Sequence, residues 1–407
     1  MAKEIYLDYA ATTPVRKEAL AEALPYFSKK FGNPSSFHSK GLEAKKAMQG
    51  ARQRIAHALN CAPEEIIFTG SGTESIALAL EGAALKALHS GKKGAFITQK
   101  TEHHAVLGAM EAIKGMGFET VLLDVDKEGI LKIDDLKKEL ERRARGEGAP
   151  ALLVSVMYAN NETGVIQPIK EIARICREKG VLFHTDACQG AEYLDIDTQR
   201  LGIDMMTLNG SKVYAFKGTG LLYRKKGVEI EPLIMGGGHE SGMRAGTENV
   251  PGIMALAKAL ELAEKEKKAE AKRLTKLRDY FVARVEKEIP KATLNGSRKK
   301  RLPNNINFSF EGVEGESILL RLNEKGIMVS TGSACTSQSL EPSHVLLAMG
   351  LTHGLAHGSI RFTLGKFTAK KDLDYTLKAL KETVAFLRMI SPVWEKTKGK
   401  RKMKARE

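Results

Sequence analysis

Between residues 64 and 225 the chain alternates short β-branched and aliphatic runs with stretches of helical period, a pattern that few folds accept. The strand candidates are EEIIFTG, GAFITQ, ETVLLDV, ALLVSVMY, VLFHTDA, DMMTLN and GLLYRK. Among them, ESIALALEGAALKAL, DDLKKELERRAR and IKEIARICREKG repeat apolar residues three and four apart. Such alternation predicts an α/β fold, a mostly parallel seven-stranded sheet with helices on both faces. A charged helical stretch then runs from about Val250 to Ile289. It is followed by a shorter βαβ-like part: NNINFSF, ESILLRLNEKG, the stretch STGSACTSQS, SIRFTLG and a closing helix DLDYTLKALKETVAFLRMI. Composition shifts near residue 260. The expected organisation is a large domain over 15–260, a smaller α/β domain over 1–14 and 261–395, and a basic, disordered tail over 396–407. With 407 residues, 43% of them hydrophobic, the chain can bury two such cores.

Composition removes several classes of function. The start, MAKEIYLDYA, carries charge at once and has no apolar core before a cleavage site, and no run of 18 apolar residues occurs. A cytoplasmic protein without membrane contact is expected. Four cysteines in so long a chain make no disulfide framework, no CxxC pair is present, and no metal is expected. The net charge of +15 is partly concentrated in the tail KTKGKRKMKARE. A basic surface attracts polyanions non-specifically. No zinc-finger spacing, RNP-like motif or basic heptad accompanies it, so no specific nucleic-acid partner is expected.

Open α/β sheets bind ligands beyond the carboxyl ends of their strands. After EEIIFTG comes SGTES, where Gly70 and Gly72 permit close backbone approach and Thr73 opens a helix whose free N–H groups can hold a phosphate. Serine or threonine at such a place also caps helices that bind nothing. KTEHH puts His103 and His104 at the next loop-to-helix junction, ANNETG puts Asn161 at a strand end, and DACQ does the same for Asp186 and Gln189. GSK sets Lys212 in a small-residue turn. Singly, each has an ordinary turn or core reading. Together they are what pyridoxal phosphate requires: donors for its phosphate, a carboxylate for its pyridinium and a lysine amine for its aldehyde. Cys335 stands alone among small or polar residues, whereas a packing cysteine usually has apolar neighbours.

The ordered motifs YLDYAATTPV, FGNPSSFH, FTGSGTES, KTEH, NNETGV, HTDACQ, GGGHESGMRAGT, VEGES, STGSACTS, LEPSHVL and SIRFTLG resemble those of one enzyme family over nearly the whole chain. These are the cysteine desulfurases of the iron–sulfur-cluster (NifS/IscS-like) type, fold-type I pyridoxal phosphate enzymes of the class V aminotransferase family. The resemblance implies that Lys212 binds the cofactor aldehyde and later takes the substrate Cα proton. By the same resemblance Asp186 pairs with the pyridine nitrogen, Gln189 bonds the phenolic oxygen, and His103 stacks on the ring and accepts protons. Gly72, Thr73, Asn209 and Ser211 would surround the phosphate, with Thr247 reaching in from the partner of a homodimer. Asn161 and Arg361 would hold the substrate carboxylate. Cys335 would take the sulfur of L-cysteine as a persulfide, leaving L-alanine, and pass it to an iron–sulfur scaffold or another sulfur-acceptor protein. The other thiols read as bland: Cys176 within an amphipathic helix, Cys61 near a helix end, and Cys188 in place of the threonine usual beside the cofactor.

Some positions depart from the family pattern. Asn209, Gly210 and Ser211 stand where Ser-Gly-His is common, Ala215 and Phe216 replace Gly-Pro, and Met235 replaces a histidine. Two other classes stay open at this point. One is a different pyridoxal phosphate reaction on the same scaffold, such as selenocysteine lyase or β-elimination. The other is a non-catalytic protein that binds through its basic surface.

Overall fold

The computed structural model describes residues 4–331, 341–392 and 394. Cys335 and the basic tail 396–407 lie outside the described residues. Among the described residues twelve strands follow in chain order: β1 (Ile5–Tyr6), β2 (Ile66–Thr69), β3 (Ala95–Gln99), β4 (Glu119–Leu123), β5 (Ala151–Ser155), β6 (Leu182–Asp186), β7 (Met205–Asn209), β8 (Gly220–Arg224), β9 (Ala292–Leu294), β10 (Asn305–Phe310), β11 (Ile327–Met328) and β12 (Ser359–Thr363). All seven strand candidates of residues 64 to 225 form one sheet, in the order β2-β8-β7-β6-β5-β3-β4. It is mostly parallel, and β8 alone opposes its neighbours β2 and β7.

The sheet is buried on both faces because successive side chains alternate between them. Ile66, Phe68, Ile97, Val154, Met206 and Leu221 pack one face against the helices Ser39–Leu59 and Ile169–Glu178 and the start of Val250–Glu288. Their neighbours Ile67, Phe96, Leu153, Met205 and Leu222 pack the other face against Gly72–His89 and His104–Gly115. Covering both faces leaves the strand ends as the place where polar groups can meet a ligand.

A second core gathers Ile5 and Leu7 with Phe281 and Val285 of the long helix, Ile306 and Phe308 of β10, Ile360 and Phe362 of β12, and Leu373, Leu377 and Leu380 of the closing helix Lys370–Ile390. Its sheet differs from the βαβ-like arrangement expected from sequence. The order is β12-β10-β9 with antiparallel pairing throughout, Phe308 standing opposite both Ile360 and Leu294. The reason lies in the connection. After the helix Gly315–Glu324 the chain first spends β11 on a parallel pair with β1, and only the long return from there brings β12 alongside β10.

The helix Val250–Glu288 joins the two cores. At 39 residues it is about 58 Å long at 1.5 Å per residue. Its first part, through Ala263, packs on the large sheet and its last part, from Leu274, on the small one. Between them lies KEKKAEAKRL, too charged to bury and rich in helix formers. Arg16 and Lys366 both bond Glu266 in this middle part, at 2.7 and 2.6 Å, tying the N-terminal segment and the strand-β12 loop to the strut. Proline at exposed Ala269 would remove one helix hydrogen bond and clash with the preceding turn, at a cost of about 3 kcal/mol. Ala269→Pro should therefore lower the thermal midpoint and reduce turnover by more than tenfold, because Arg361 comes from the small sheet and Lys212 from the turn after β7 of the large one, the two units this helix joins. Circular dichroism melting with a turnover assay checks both; unchanged turnover would show that the helix does not set the geometry between the two cores.

Candidate active site

Strands β3, β5, β6 and β7 run parallel, and β2 runs with them because it and β7 both oppose β8. With β4, parallel to β3, six carboxyl ends therefore share one edge. Beyond it lies a cavity of about 340 Å³ lined by Gly72, Thr73, His103, Asn161, Asp186, Gln189, Asn209 and Lys212, with Arg361 entering from β12. Nine of the residues singled out in the sequence thus meet in one place. Ser211 and Thr247 do not line it, and Cys335 lies outside the described residues.

At one end the helix Gly72–His89 points its first turn at the cavity. Ser71 caps it, its Oγ accepting the Glu74 N–H at 3.1 Å and its carbonyl accepting the Ser75 N–H. The first-turn amides of Gly72 and Thr73 are left to serve an anion, with the positive end of the helix dipole behind them. Gly72 is required for a spatial reason: a Cβ there would lie 2.9 Å from Cys188 Sγ and 3.3 Å from Asn209 Cβ. Asn209 Oδ1 accepts from both the backbone N–H and the hydroxyl of Ser211, at 3.0 and 3.1 Å. Ser211 is thus turned to Asn209 and fixes its amide, which leaves Nδ2 of Asn209 as the donor on the cavity side.

Asp186 closes β6, and its Oδ1 accepts the Cys188 N–H at 2.9 Å. Lys212, in the short turn after β7, donates from Nζ to the carbonyls of Ala10 and Ala11 at 2.9 and 2.6 Å. Gln189 Nε2 shares the Ala10 carbonyl at 3.0 Å. The segment Tyr9–Thr12 thereby becomes part of the site, although the sequence reading gave it no role. His103 caps its helix, Nδ1 accepting the Ala105 N–H at 3.1 Å. Burial pushes its imidazole below the ordinary value, with nearby Asp186 opposing the shift. A neutral ring with Nδ1 occupied carries its proton on Nε2, so the nitrogen left for a ligand is a donor.

Arg361 holds the opposite end. Its Nη2 pairs with Asp8 Oδ1 at 2.8 Å and its Nη1 donates to the Asn161 carbonyl at 3.0 Å, which fixes the plane of the guanidinium. Asn161 Oδ1 is buried and has no hydrogen-bond partner among the described residues, so the cavity offers an acceptor that a bound molecule can satisfy.

Sequence reasoning also missed Glu162 and His344, which line this cavity, and the buried Glu102 behind it. Glu102 accepts from Gln99 Nε2 and the Met157 N–H, and burial raises its pKa to about 8. Burial raises Glu162 to about 7, against a lowering bond from Ser343. His344 donates from Nε2 to the Glu102 carbonyl at 2.9 Å. The motifs KTEH, NNETGV and LEPSHVL held all three. Their spacing could not say that they meet.

The model of the aminotransferase class-V family matches residues 5–376. A protein of Dictyoglomus turgidum named cysteine desulfurase IscS is 50% identical over 402 residues, which cover 99% of this chain and all of that protein. The chain belongs to the class-V aminotransferase family, among its cysteine desulfurases. A solved NifS-like protein superposes with a TM-score of 0.87 at 36% identity, covering 94% of this chain and all of the other. The structure titled SspA in complex with cysteine superposes with a TM-score of 0.77 at 33% identity, covering 90% and 100%.

Class-V cysteine desulfurases depend on pyridoxal phosphate, and the residues present fit that group. Helix amides and Asn209 Nδ2 suit the phosphate at one end, Asp186 suits a pyridinium, Lys212 suits an aldehyde, and the unsatisfied Asn161 Oδ1 awaits a donor. At the phosphate end the Ser211 hydroxyl bonds Asn209 Oδ1, and Thr247 of the same chain lines a separate cavity of about 210 Å³ beside Gly70, Arg244 and Asn249. Because the Gly72 contact is with a sulfur atom, Gly72→Ala should weaken cofactor retention by about tenfold or more, and Cys188→Ala added to it should recover part of the loss. Cofactor dissociation constants from absorbance titration check this; equal affinity in all three proteins would mean that the helix start does not face the phosphate.

Proposed function

We propose that Cys335 is the sulfur acceptor of this desulfurase, that the sulfur leaves it for an acceptor protein such as an iron–sulfur scaffold, and that the working unit is a homodimer in which Thr247 of one subunit reaches the phosphate of the other. The observation that carries the reading is at Arg361. Its backbone exchanges hydrogen bonds with Ser330, at 3.1 Å from the Ser330 N–H and 2.7 Å back. Ser330 precedes Cys335 by five residues, a span of at most about 18 Å when fully extended. The residue proposed to hold the substrate carboxylate therefore anchors the start of the segment that carries the thiol.

Arg361 and Asn161 bind the carboxylate of L-cysteine, Arg361 with N–H groups held in place by Asp8. Lys212 accepts the Cα proton. When bound, pyridoxal phosphate supplies an electron sink for the pair released at Cα, with Asp186 keeping its ring nitrogen protonated and Gln189 bonding its phenolic oxygen. With the cofactor bound, His103 would stack on its ring, and it supplies a proton donor at Nε2. The Cys335 thiolate attacks the substrate sulfur, forming an S–S bond as the C–S bond breaks. The carbon keeps the electron pair and takes up a proton, giving L-alanine and a persulfide on Cys335. The described thiols are poor rivals for that role. Burial pushes Cys61 and Cys176 up to about 12 and raises Cys188 as well, so none of them presents a thiolate at neutral pH.

Cys335→Ser should still bind L-cysteine but should lose at least a hundredfold in alanine formation. In the wild-type enzyme, a brief cysteine pulse followed by alkylation and mass mapping should find the added sulfur on residue 335. Sulfur found mainly on Cys61, Cys176 or Cys188 would overturn the assignment.

A further inference from the structure

The five-residue helix His344–Ala348 begins nine residues after Cys335. Its core contacts are separate from both main cores: Val345, Leu346 and Met349 pack with Val125 in a small cluster of their own. What fixes its N-terminal end against the cavity is a pair of polar contacts. Ser343 Oγ accepts the Leu346 N–H at 3.2 Å as the helix cap, which directs its single proton to Glu162 Oε2 at 2.5 Å. His344 Nε2 donates to the Glu102 carbonyl, and its ring lies 4.6 Å from that of His104.

Both acceptors are themselves held firmly. Glu162 N–H donates to Asn160 Oδ1 at 2.9 Å, and its carbonyl accepts from Asn307 Nδ2 of β10 at 3.1 Å. Glu102 is fully buried, with Oε1 engaged by Gln99 and Met157. Glu102 precedes His103 and Glu162 follows Asn161 in the chain, so the two loops that present groups to the substrate also receive this helix. A hydroxyl committed at both its donor and acceptor ends fixes direction as well as distance.

We propose that Ser343, through Glu162, is a positioning residue for the sulfur-transfer step: the contact ties the start of the helix His344–Ala348, which follows Cys335 in the chain, to the loop that carries Asn161, and it does not take part in substrate binding. The inference rests on the assignment of Cys335 as sulfur acceptor. It predicts that the two halves of the reaction separate on substitution at position 343, which lies outside the cavity lining.

Three variants of the cofactor-loaded enzyme test this at pH 8.5. Ser343→Ala loses both the cap and the donor, Ser343→Asp keeps a good helix cap but opposes Glu162, and Ser343→Thr keeps both. Cysteine affinity and the rate of Cα hydrogen exchange with deuterated solvent should stay within about twofold of wild type in all three. The rate of persulfide formation on Cys335, read by rapid quenching, alkylation and intact mass, should fall about tenfold or more in Ser343→Ala and Ser343→Asp. It should remain within about threefold in Ser343→Thr. Near-wild-type persulfide formation in Ser343→Asp would mean that only the cap matters and would overturn the proposal. Equal losses in affinity, exchange and persulfide formation would overturn it too. If wild-type enzyme carries the sulfur elsewhere than on Cys335, the underlying assignment fails and this inference with it, whereas sulfur on Cys335 at unchanged rates in Ser343→Ala overturns the inference alone.

Discussion

The parallel pairing of β5, β6 and β7, residue on residue from Leu153 against Leu182 to Asp186 against Thr207, places the chemistry of this protein. A parallel ladder puts every carboxyl end at the same edge, and side chains buried on both faces leave the strand ends to the polar groups. Asp186, Asn209 and the turn with Lys212 follow directly from it. A one-residue slip in β6 would turn Asp186 to the other face of the sheet, so the register that the apolar residues enforce also fixes the carboxylate proposed to keep the cofactor ring protonated.

Around that edge the wall is built of polar groups already committed to one another. Ser211 fixes Asn209, the Ala10 carbonyl receives Gln189 and Lys212, and Asp8 with the Asn161 carbonyl fixes Arg361. Groups held in this way lose little further freedom when a ligand arrives, which favours geometry over adaptability. The exceptions are informative. Among the described residues the buried oxygen of Asn161 has no partner, and burial raises the carboxyls of Glu102 and Glu162. These are the places where a bound molecule or a proton can still change the balance.

Much of this was legible from the chain. The seven strands announced themselves through short apolar runs bounded by turns, and the residues just after them through Gly, Asn, Asp and Lys in small-residue surroundings. Strand direction was less legible, because an alternating pattern reads the same in a parallel and an antiparallel pair. The reversal of β8 and the antiparallel β9, β10 and β12 could be seen only in three dimensions. Contacts between distant segments were equally silent. Asp8 reaches Arg361 across 353 positions and Ser343 reaches Glu162 across 181, and neither spacing carries a local signature. The bond from the Ser211 hydroxyl to Asn209 Oδ1 was equally silent, because two residues so close in sequence can face the same way or apart depending on the turn.

The central claim is that the turn after β7 brings Lys212 to the cofactor aldehyde at the edge shared with Asp186. Borohydride reduction of the yellow enzyme fixes the covalent bond in place, and peptide mass mapping then reads which lysine holds it. The account predicts a single phosphopyridoxyl group on Lys212. The same group on any other lysine, or a cofactor that dissociates unmodified after reduction, would contradict it.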